Sequence, residues 1–484
     1  MEIITLLDTL VKMLLKAEEE YLNDLEDFNS FEKAVKSSTD EFAANFLSKV
    51  LSSIDAQIRN SSWRKDKYII QKQDIRTEIS SVGDINFNNT CYKRVSDGKY
   101  VYLLAEIINL AKNERFTEQA EVMLLTEALK TSYQEATKVL PSKQKITKTT
   151  IMNKVHQLAK DFPYENSQKL READYLFIEA DEDHIAEQHG DLKEEKANKS
   201  FISKLVYIYE GKRNVAGYKT RKELVNKFYF SGVYPGHKEN EKLWEQVQDY
   251  INKTYNTNAI KRIFISGDAA GWIKSGVDYL DKALFCADKY HLMQYINQAA
   301  AQIPDEKDTI KDELWHILYS NRYKTKERFD EYTLNLMLTA KRPDKVNTLR
   351  TYVLGNWAAI RRTLRNKLVD GCSAESHVSH VLSDRLSSRP MGWSQVGADK
   401  MSKLRCFERN YGRENLIKLV RYSREQRALK ATGTDDIPVQ EISVREILAE
   451  HRDQARSYIE RIQAHIPGFT ARKTAAIRSH LRLL

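Results

Sequence analysis

Three carboxylates stand where the local sequence predicts rigid backbone around them. The apolar run Tyr-Leu-Phe-Ile-Glu-Ala ends at Asp181, and a second run, Ile-Phe-Ile-Ser-Gly, ends at Asp268. Aromatic and β-branched residues in both runs favour strands. Glu375 follows Ser373, which is typical of a capping residue and the first turn of a helix. Close carboxylates repel each other unless a cation or a functional site holds them together, so these acids are candidate metal ligands.

The chemistry that such acids support is phosphoryl transfer. Two divalent ions about 3.5–4 Å apart activate the attacking oxygen and stabilise the leaving one. Mg²⁺ prefers hard oxygen ligands and keeps several waters, so three carboxylates suffice. The sequence therefore predicts a site for two Mg²⁺ (or Mn²⁺) ions on Asp181, Asp268 and Glu375, with Asp183 as an alternative to Asp181. For each acid, the alternative is an ordinary surface or capping role.

The elements around these acids predict an α+β chain that is mostly helical. Strands at about 175–181, 201–211, 227–232 and 260–268, with a helix at 240–254, indicate a mixed sheet with an α/β crossover. Few turn signals interrupt 291–368, which predicts an all-α insertion. Around these segments we expect a helical region at 1–66, a small β-hairpin region at 67–116 with alternation over 77–87, and a basic helical region at 401–484.

The segment 117–165 has the pattern of a helix-turn-helix. A short helix at 132–140 and a polar connection precede a second helix at 147–158, with Ile151, Val155 and Leu158 on its buried side. A plain helical hairpin is the alternative. The side chains that this motif would offer to DNA are Lys145, Lys148, Thr149, Asn153 and Lys154.

Composition limits the classes of protein that fit. The 484 residues carry a net charge of +9, which suits a polyanionic partner but is weak evidence alone. The four cysteines form no CxxC pair, which argues against a disulfide framework or structural zinc and favours a reducing compartment. The N-terminus contains acidic residues and lacks a basic segment before its apolar run, which argues against a signal peptide. No run of apolar residues is long enough to predict a membrane span. We expect a cytoplasmic protein.

Four segments carry a resemblance to a known family. They are 179–184, 265–273, 285–292 and the long motif 374–394, Ala-Glu-Ser-His-Val-Ser-His through Arg-Pro-Met-Gly-Trp-Ser. With them the chain resembles the ISLre-type insertion-sequence transposases, a family long catalogued only as an uncharacterised protein family and similar to Mutator-like DDE transposases. The resemblance runs from about residue 84 to 395. The final motif is the most specific.

The resemblance implies an RNase H-like core in two parts, 170–290 and 369–400, with the helical insertion between the second Asp and the Glu. Asp181, Asp268 and Glu375 map to the catalytic acids. Cys286 and His291 resemble the Cys/His element of Mutator-like relatives, although no soft ligands for zinc are evident. His291 is either a donor near the scissile phosphate or a core histidine. His377 either orients a ligand or is structural.

The function implied is that of a bacterial transposase that cleaves and joins double-stranded DNA at terminal inverted repeats, associated with the nucleoid. Pairing two element ends implies a homodimer or a higher oligomer. Arg389 and Trp393 flank Pro-Met-Gly, where a cation and an aromatic suit DNA contacts, and a loop-locking Trp is the alternative. Two other functions stay open: an RNase H-like nuclease without strand transfer, and a non-catalytic DNA-binding protein derived from a transposase.

Overall fold

Helices open the chain, as the sequence predicts. We describe a computed structural model that covers residues 2–108, 110, 114–163, 169–188, 200–218, 221–389 and 391–432. The chain divides into two compact units. One combines the described residues of 1–124, 137–147 and 424–432, and the other combines 125–136 with 148–423. The predicted helix-turn-helix segment is thus shared between the two units.

The first unit contains the predicted helices and β-rich region. Its elements are α1 (Glu2–Asn23), α2 (Phe28–Asn60), α3 (Ser62–Lys65), β1 (Tyr68–Ser80), β2 (Gly83–Arg94), β3 (Tyr100–Val101), α4 (Leu103–Ile107) and most of α5 (Glu118–Ala128). The three strands form an antiparallel sheet. The alternating stretch 77–87 is not one strand, because β1 and β2 meet there in a tight hairpin and Gly83 follows the turn with a φ of 122°.

The second unit begins with α6 (Tyr133–Ala136) and α7 (Lys148–His156). The first of these is only one turn long, shorter than the helix predicted at 132–140. The sheet region follows with β4 (Tyr175–Ala186), β5 (Ser200–Tyr209), β6 (Gly211–Asn214), β7 (Lys222–Val225), β8 (Phe228–Gly232), α8 (Gly236–Thr254), β9 (Arg262–Gly267), α9 (Gly271–Lys274), α10 (Gly276–Tyr279) and β10 (Ala283–Ala287). Residues 189–199, which follow β4 in the sequence, lie outside the described residues.

Five of these strands form one mixed sheet in the order β10-β9-β4-β5-β8. Pairing is antiparallel between β4 and β5 and between β5 and β8, whereas β4, β9 and β10 run parallel. The connection through α8 returns the chain to the other side of β4, since a parallel pair needs a crossover. This confirms the predicted mixed sheet with an α/β crossover.

The two faces of β4 differ in chemistry because successive strand residues point to opposite sides. Leu176, Ile178 and Ala180 are fully buried in the main apolar core, together with Leu243 and Trp244 of α8. The opposite face carries Asp181 and Asp183. The strand therefore anchors these acids through an apolar face that cannot turn outward without exposing the core.

Helices complete the second unit. They are α11 (Lys289–Ala300), α12 (Lys307–Tyr319), α13 (Thr325–Thr339), α14 (Pro343–Gly355), α15 (Trp357–Arg365), α16 (Ala374–Val378), α17 (Asp384–Leu386), α18 (Gln395–Tyr411) and the first part of α19 (Leu416–Thr432), whose residues from Arg424 belong to the first unit. Every element described within 291–368 is helical, as the sequence predicts. A π-helical segment, Ser379–Ser383, interrupts the helix predicted after Ser373. Of the basic region predicted at 401–484, residues 433–484 lie outside the described residues.

The fold is mixed α/β with more helix than strand. Every described helix is too short or too polar to cross a bilayer.

Candidate active site

Strand register aligns three aspartates side by side in a row across the parallel strands β4, β9 and β10. The parallel pairing of β4 with β9 joins Glu179 to Ser266, and continuing it by two residues brings Asp268 beside Asp181. The pairing of β10 with β9 ends at Gly267, and the next residue of β10 is Asp288. Its backbone N–H donates to the Gly267 carbonyl at 2.9 Å, so the pairing continues there. Neighbouring strands lie about 4.8 Å apart.

The backbone around Asp268 is fixed by close packing. A Cβ at Gly267 would lie 2.7 Å from the Ala180 carbonyl oxygen, so only glycine lets β9 approach β4 this closely. Ala269 has a φ of 72°, a left-handed conformation that is uncommon outside glycine. The Asp268 carboxylate accepts a hydrogen bond from the Ala270 N–H at 2.9 Å. Such strain is characteristic of functional sites.

The pKa shifts of these acids show that their charges interact. Burial raises the pKa of Asp181 to about 6, with a smaller contribution from the charge of Asp268 and against a hydrogen bond from the Glu182 N–H. Burial also raises the pKa of Asp288, to which Glu179 and Glu375 add. These shifts mark a cluster of negative charge that the fold brings together without a cation.

His291 lies within this cluster. Its Nε2 is 3.8 Å from a carboxylate oxygen of Asp288, one turn earlier at the start of α11. Its charge also lowers the pKa of Asp181. Asp288 is at the same time the N-cap of α11, accepting from the Tyr290 N–H at 2.9 Å. The histidine therefore faces the acids of two strands.

Glu179 lies behind the row on the same face of β4 and is 1% exposed. Its carboxylate accepts from the hydroxyl of Tyr207, from the hydroxyl of Tyr209 at 2.6 Å and from the Ser373 N–H at 2.6 Å. The Ser373 hydroxyl also donates to it at 3.0 Å and does not cap the following helix, so the predicted side-chain cap is wrong. Lys212 Nζ stands 3.8 Å from the same carboxylate.

Glu375 lies two residues after Ser373, which the Glu179 carboxylate holds in place. It is exposed in the first turn of α16, and its charge acts on Asp288. Among the described residues, no three acidic, histidine or cysteine side chains lie close enough together to hold one metal ion. The fold thus brings Asp181 and Asp268 together directly, while Glu375 approaches from the side of Asp288.

The other predicted residues near the site occupy different environments. Asp183 accepts from the Ser387 hydroxyl at 2.8 Å, and burial raises its pKa, so its hydrogen bonding is structural. Cys286 is fully buried, and burial raises its pKa to about 11, which keeps the thiol protonated. His377 contacts the Tyr229 hydroxyl at 2.8 Å through Nδ1, and burial lowers its pKa to about 4.

Comparison with known proteins places the chain in a family. Residues 22–423 match the model of an uncharacterised protein family, UPF0236. The chain belongs to this family. A UPF0236 protein of Caldanaerobacter subterraneus subsp. tengcongensis is 31% identical over 379 residues, which cover 78% of this chain and 77% of that protein. A second from the same organism is also 31% identical, covering 78% of each chain.

Among solved structures, the chain is similar to the Drosophila P element transposase strand transfer complex. The TM-score is 0.21 and the sequence identity 9%, over 76% of this chain and 92% of that one. This likeness is too low to define the fold.

The predicted DNA-binding residues of this UPF0236 protein differ in exposure. Lys148, Thr149 and Asn153 are exposed on α7, whereas Lys154 on the same helix is buried. Lys145 and Arg389 are exposed in connecting segments. Trp393 is buried, with the guanidinium of the buried Arg385 at 4.7 Å from its ring centroid. This is the loop-locking role rather than a DNA contact.

Two groups near the acids escaped sequence reasoning. Asp288 reads locally as a helix N-cap, and only the parallel pairing of β10 shows its alignment with Asp268. Tyr352 belongs to α14 of the insertion, 84 positions beyond Asp268 in sequence. Burial raises its pKa, to which the charges of Asp288 and Asp268 add. Among the described residues its hydroxyl has no hydrogen-bond partner.

Proposed function

We propose that this protein is a DDE-type transposase of an insertion sequence, with an RNase H-like core that cleaves and joins DNA strands in a Mg²⁺-dependent reaction. One observation carries the proposal: strand pairing aligns Asp181 with Asp268, and these half-buried carboxylates repel each other. A stable fold does not gain from such a pair. A site that binds a cation does, because the ion offsets the repulsion.

The topology of the sheet supports an RNase H-like core. The first strand, β4, is central, with the second strand on one side and the fourth on the other, and the last two strands run parallel to it. This is the arrangement of RNase H-like sheets. The helices α11 to α15 stand between the second Asp and Glu375, where the resemblance to ISLre-type transposases puts an insertion.

The donor set fits Mg²⁺. Carboxylate oxygens on Asp181 and Asp268 are hard ligands, and Mg²⁺ in phosphoryl-transfer sites uses one or two carboxylates, several waters and substrate phosphates. Asp288 and Glu375 add carboxylates on the other side of the row. When bound, the ion would lower the pKa of a water molecule and neutralise charge on the reacting phosphate.

The remaining groups bind and orient DNA at this edge. His291 faces Asp181 and Asp288, where it can donate to a phosphate oxygen. Tyr352 of the insertion carries a hydroxyl without a hydrogen-bond partner among the described residues, and this hydroxyl is a second donor. Hydrolysis breaks a P–O3′ bond at the element end and leaves a 3′-hydroxyl. In the joining step that hydroxyl attacks a phosphate of target DNA in line, and the 3′-oxygen of the target strand leaves.

The test is Asp268→Asn in the full-length protein. We expect loss of cleavage and joining greater than the roughly 10- to 100-fold typical of groups that only support a ligand, with DNA binding retained. Labelled element ends on a denaturing gel report cleavage, and transfer into a plasmid reports joining. Asp281→Asn is the matched control, since Asp281 is exposed in the connection between β9 and β10.

Two outcomes separate the possibilities. Unchanged cleavage and joining in Asp268→Asn would overturn the proposal. Cleavage by the wild type without any joining would identify a nuclease without strand transfer. Since pairing of two element ends needs two copies, we also expect the active species to be at least a homodimer on double-stranded DNA.

A further inference from the structure

Exposed aromatic rings and cations lie together on the helical insertion, next to the row of acids. Lys289 follows Asp288 directly in the chain. Its Nζ is 5.8 Å from the ring centroid of Trp315 and 6.0 Å from that of Tyr319, whose hydroxyl accepts from it at 3.3 Å. The two rings are 6.0 Å apart on the last turns of α12.

The connection between α12 and α13 extends this group. Tyr323 is 90% exposed, and Lys324 Nζ lies 5.6 Å from its ring centroid. Two arginines of α15 hold the connection in place. Arg361 donates to the Leu318 carbonyl, and Arg365 donates to the Ser320 carbonyl at 3.1 Å. We call Lys289, Trp315, Tyr319, Tyr323, Lys324 and Arg361 the cationic–aromatic surface.

Two stretches of this region carry charge of one sign. Residues 320–326 and 357–369 contain no aspartate or glutamate. In the same stretches stand Arg322, Lys324, Lys326, Arg361, Arg362, Arg365 and Lys367. A polyanion that approaches the row of acids is repelled there, so an adjacent cationic surface is what brings its backbone close.

Hydrogen bonds fix this surface to the strand that carries Asp288. Arg362 donates to the Phe285 carbonyl, and the Thr363 hydroxyl donates to the Ala287 carbonyl at 2.7 Å. These two carbonyls belong to the end of β10, immediately before Asp288. The surface therefore begins one residue from the candidate site and keeps a fixed position relative to it.

We infer that the cationic–aromatic surface binds an unpaired DNA strand that leads into the row of acids. This inference rests on the proposed function, because it takes DNA as the substrate. Base faces are covered inside a duplex, so exposed rings contribute little to binding intact double strands. An unpaired strand offers both a backbone for the cations and base faces that stack on tyrosine or tryptophan. Tyr323 is the ring most open to such stacking.

The experiment measures binding of labelled oligonucleotides to the full-length protein by fluorescence anisotropy without divalent metal. The probes are a twenty-nucleotide oligo-dT and a twenty-base-pair duplex. We expect Tyr323→Ala to weaken binding of the single strand on the order of five- to a hundredfold, and Tyr323→Phe to retain it. Binding of the duplex should change less than about twofold, because the ring does not read a paired base.

Two controls make the result specific. Tyr100→Ala removes a tyrosine that is 66% exposed in the first unit and should leave single-strand binding unchanged. Arg322→Gln with Lys324→Gln should weaken it, whereas Lys12→Gln with Lys16→Gln, which removes the same charge from exposed positions on α1, should not.

The outcomes separate this inference from the proposed function. Equal single-strand affinity of wild type and Tyr323→Ala would overturn the inference, even if the protein cleaves element ends. Loss of single-strand affinity in Tyr323→Ala, in a protein that shows no metal-dependent cleavage, would sustain the surface and overturn the transposase proposal.

Discussion

Asp181 combines two properties that oppose each other in the metal-free protein. Burial raises its pKa to about 6 from an ordinary value of 3.8, and Asp268 adds repulsion. Above pH 6 the Asp181 carboxylate therefore carries its charge in a partly buried position beside Asp268. Asp181 thus destabilises the folded protein at any pH at which it is ionised, and a bound cation would reverse this effect.

Asp181→Asn is therefore expected to stabilise the metal-free protein at high pH. The folded-state pKa is raised, so the wild type binds more protons folded than unfolded between about pH 4 and 6, and its stability falls across that window. Above pH 6 the variant should have a free energy of unfolding higher by on the order of 1–3 kcal/mol. Urea denaturation at pH 4.0 and pH 8.0 measures the difference.

The control for this prediction is Asp281→Asn, whose difference from wild type should not depend on pH. Mg²⁺ provides a second measurement, since a ligand that binds only the folded state raises its stability. Millimolar Mg²⁺ should stabilise the wild type and leave Asp181→Asn unchanged. A variant less stable than wild type at pH 8 would show that Asp181 is an ordinary structural carboxylate.

At the scale of elements, Glu179 connects the central strand to the helix that carries Glu375. Its buried carboxylate accepts from two tyrosine hydroxyls of β5 and from both donors of Ser373. Because Ser373 immediately precedes α16, the position of Glu375 depends on this carboxylate. Four donors converge on this carboxylate. A glutamine amide in its place would direct its own N–H groups at some of these donors.

We expect Glu179→Gln to lower the free energy of unfolding by about 2–4 kcal/mol and to reduce cleavage further than the stability loss explains. Ser373→Ala and Tyr209→Phe each remove one donor and should cost about 1 kcal/mol. Cleavage is measured well below the unfolding temperature, so that all variants are folded. If Ser373→Ala reduces cleavage no more than Tyr209→Phe does, the carboxylate stabilises the core without positioning Glu375.

Local sequence was sufficient for features that depend on neighbouring residues. The strand that stops before Asp268 and the helical character of 291–368 were predictable, because apolar periodicity specifies them. The extent of β4, which runs to Ala186 rather than ending at Asp181, was not. The π-helical segment after Glu375 was not predictable, since the residue types at 379–383 also occur in ordinary α-helices. The hairpin turn inside 77–87 was missed because no Asn-Gly or Asp-Gly pair marks it.

Groups whose role depends on pairing between distant segments could not be predicted. Asp288 has the local sequence of an N-cap, and it is one. Its alignment with Asp268 exists only through the register of β10 on β9. Glu179 reads as part of an apolar strand, and its donors come from positions 207, 209 and 373. A single sequence contains no measure of such distances.

At the scale of the whole molecule, a net charge of +9 coexists with 68 acidic residues. Such a balance gives a general attraction to DNA only if the cations are exposed where the backbone passes. On α7, Lys148 is exposed and Lys154 is buried, although both were predicted to contact DNA. Comparing variants of the two lysines therefore distinguishes an exposed lysine that contacts DNA from a buried lysine that only adds to the net charge.

The salt dependence of duplex binding tests this distinction. The logarithm of the binding constant should fall linearly with the logarithm of the salt concentration, with a slope of about −0.9 for each phosphate contact. If α7 lies on DNA, Lys148→Gln should make the slope less steep by about 1, because one contact is lost. Lys154→Gln lowers the net charge equally and should leave the slope unchanged. Equal slopes for wild type and Lys148→Gln would remove α7 from the DNA-binding surface, while a matching change in both variants would show that net charge alone governs binding.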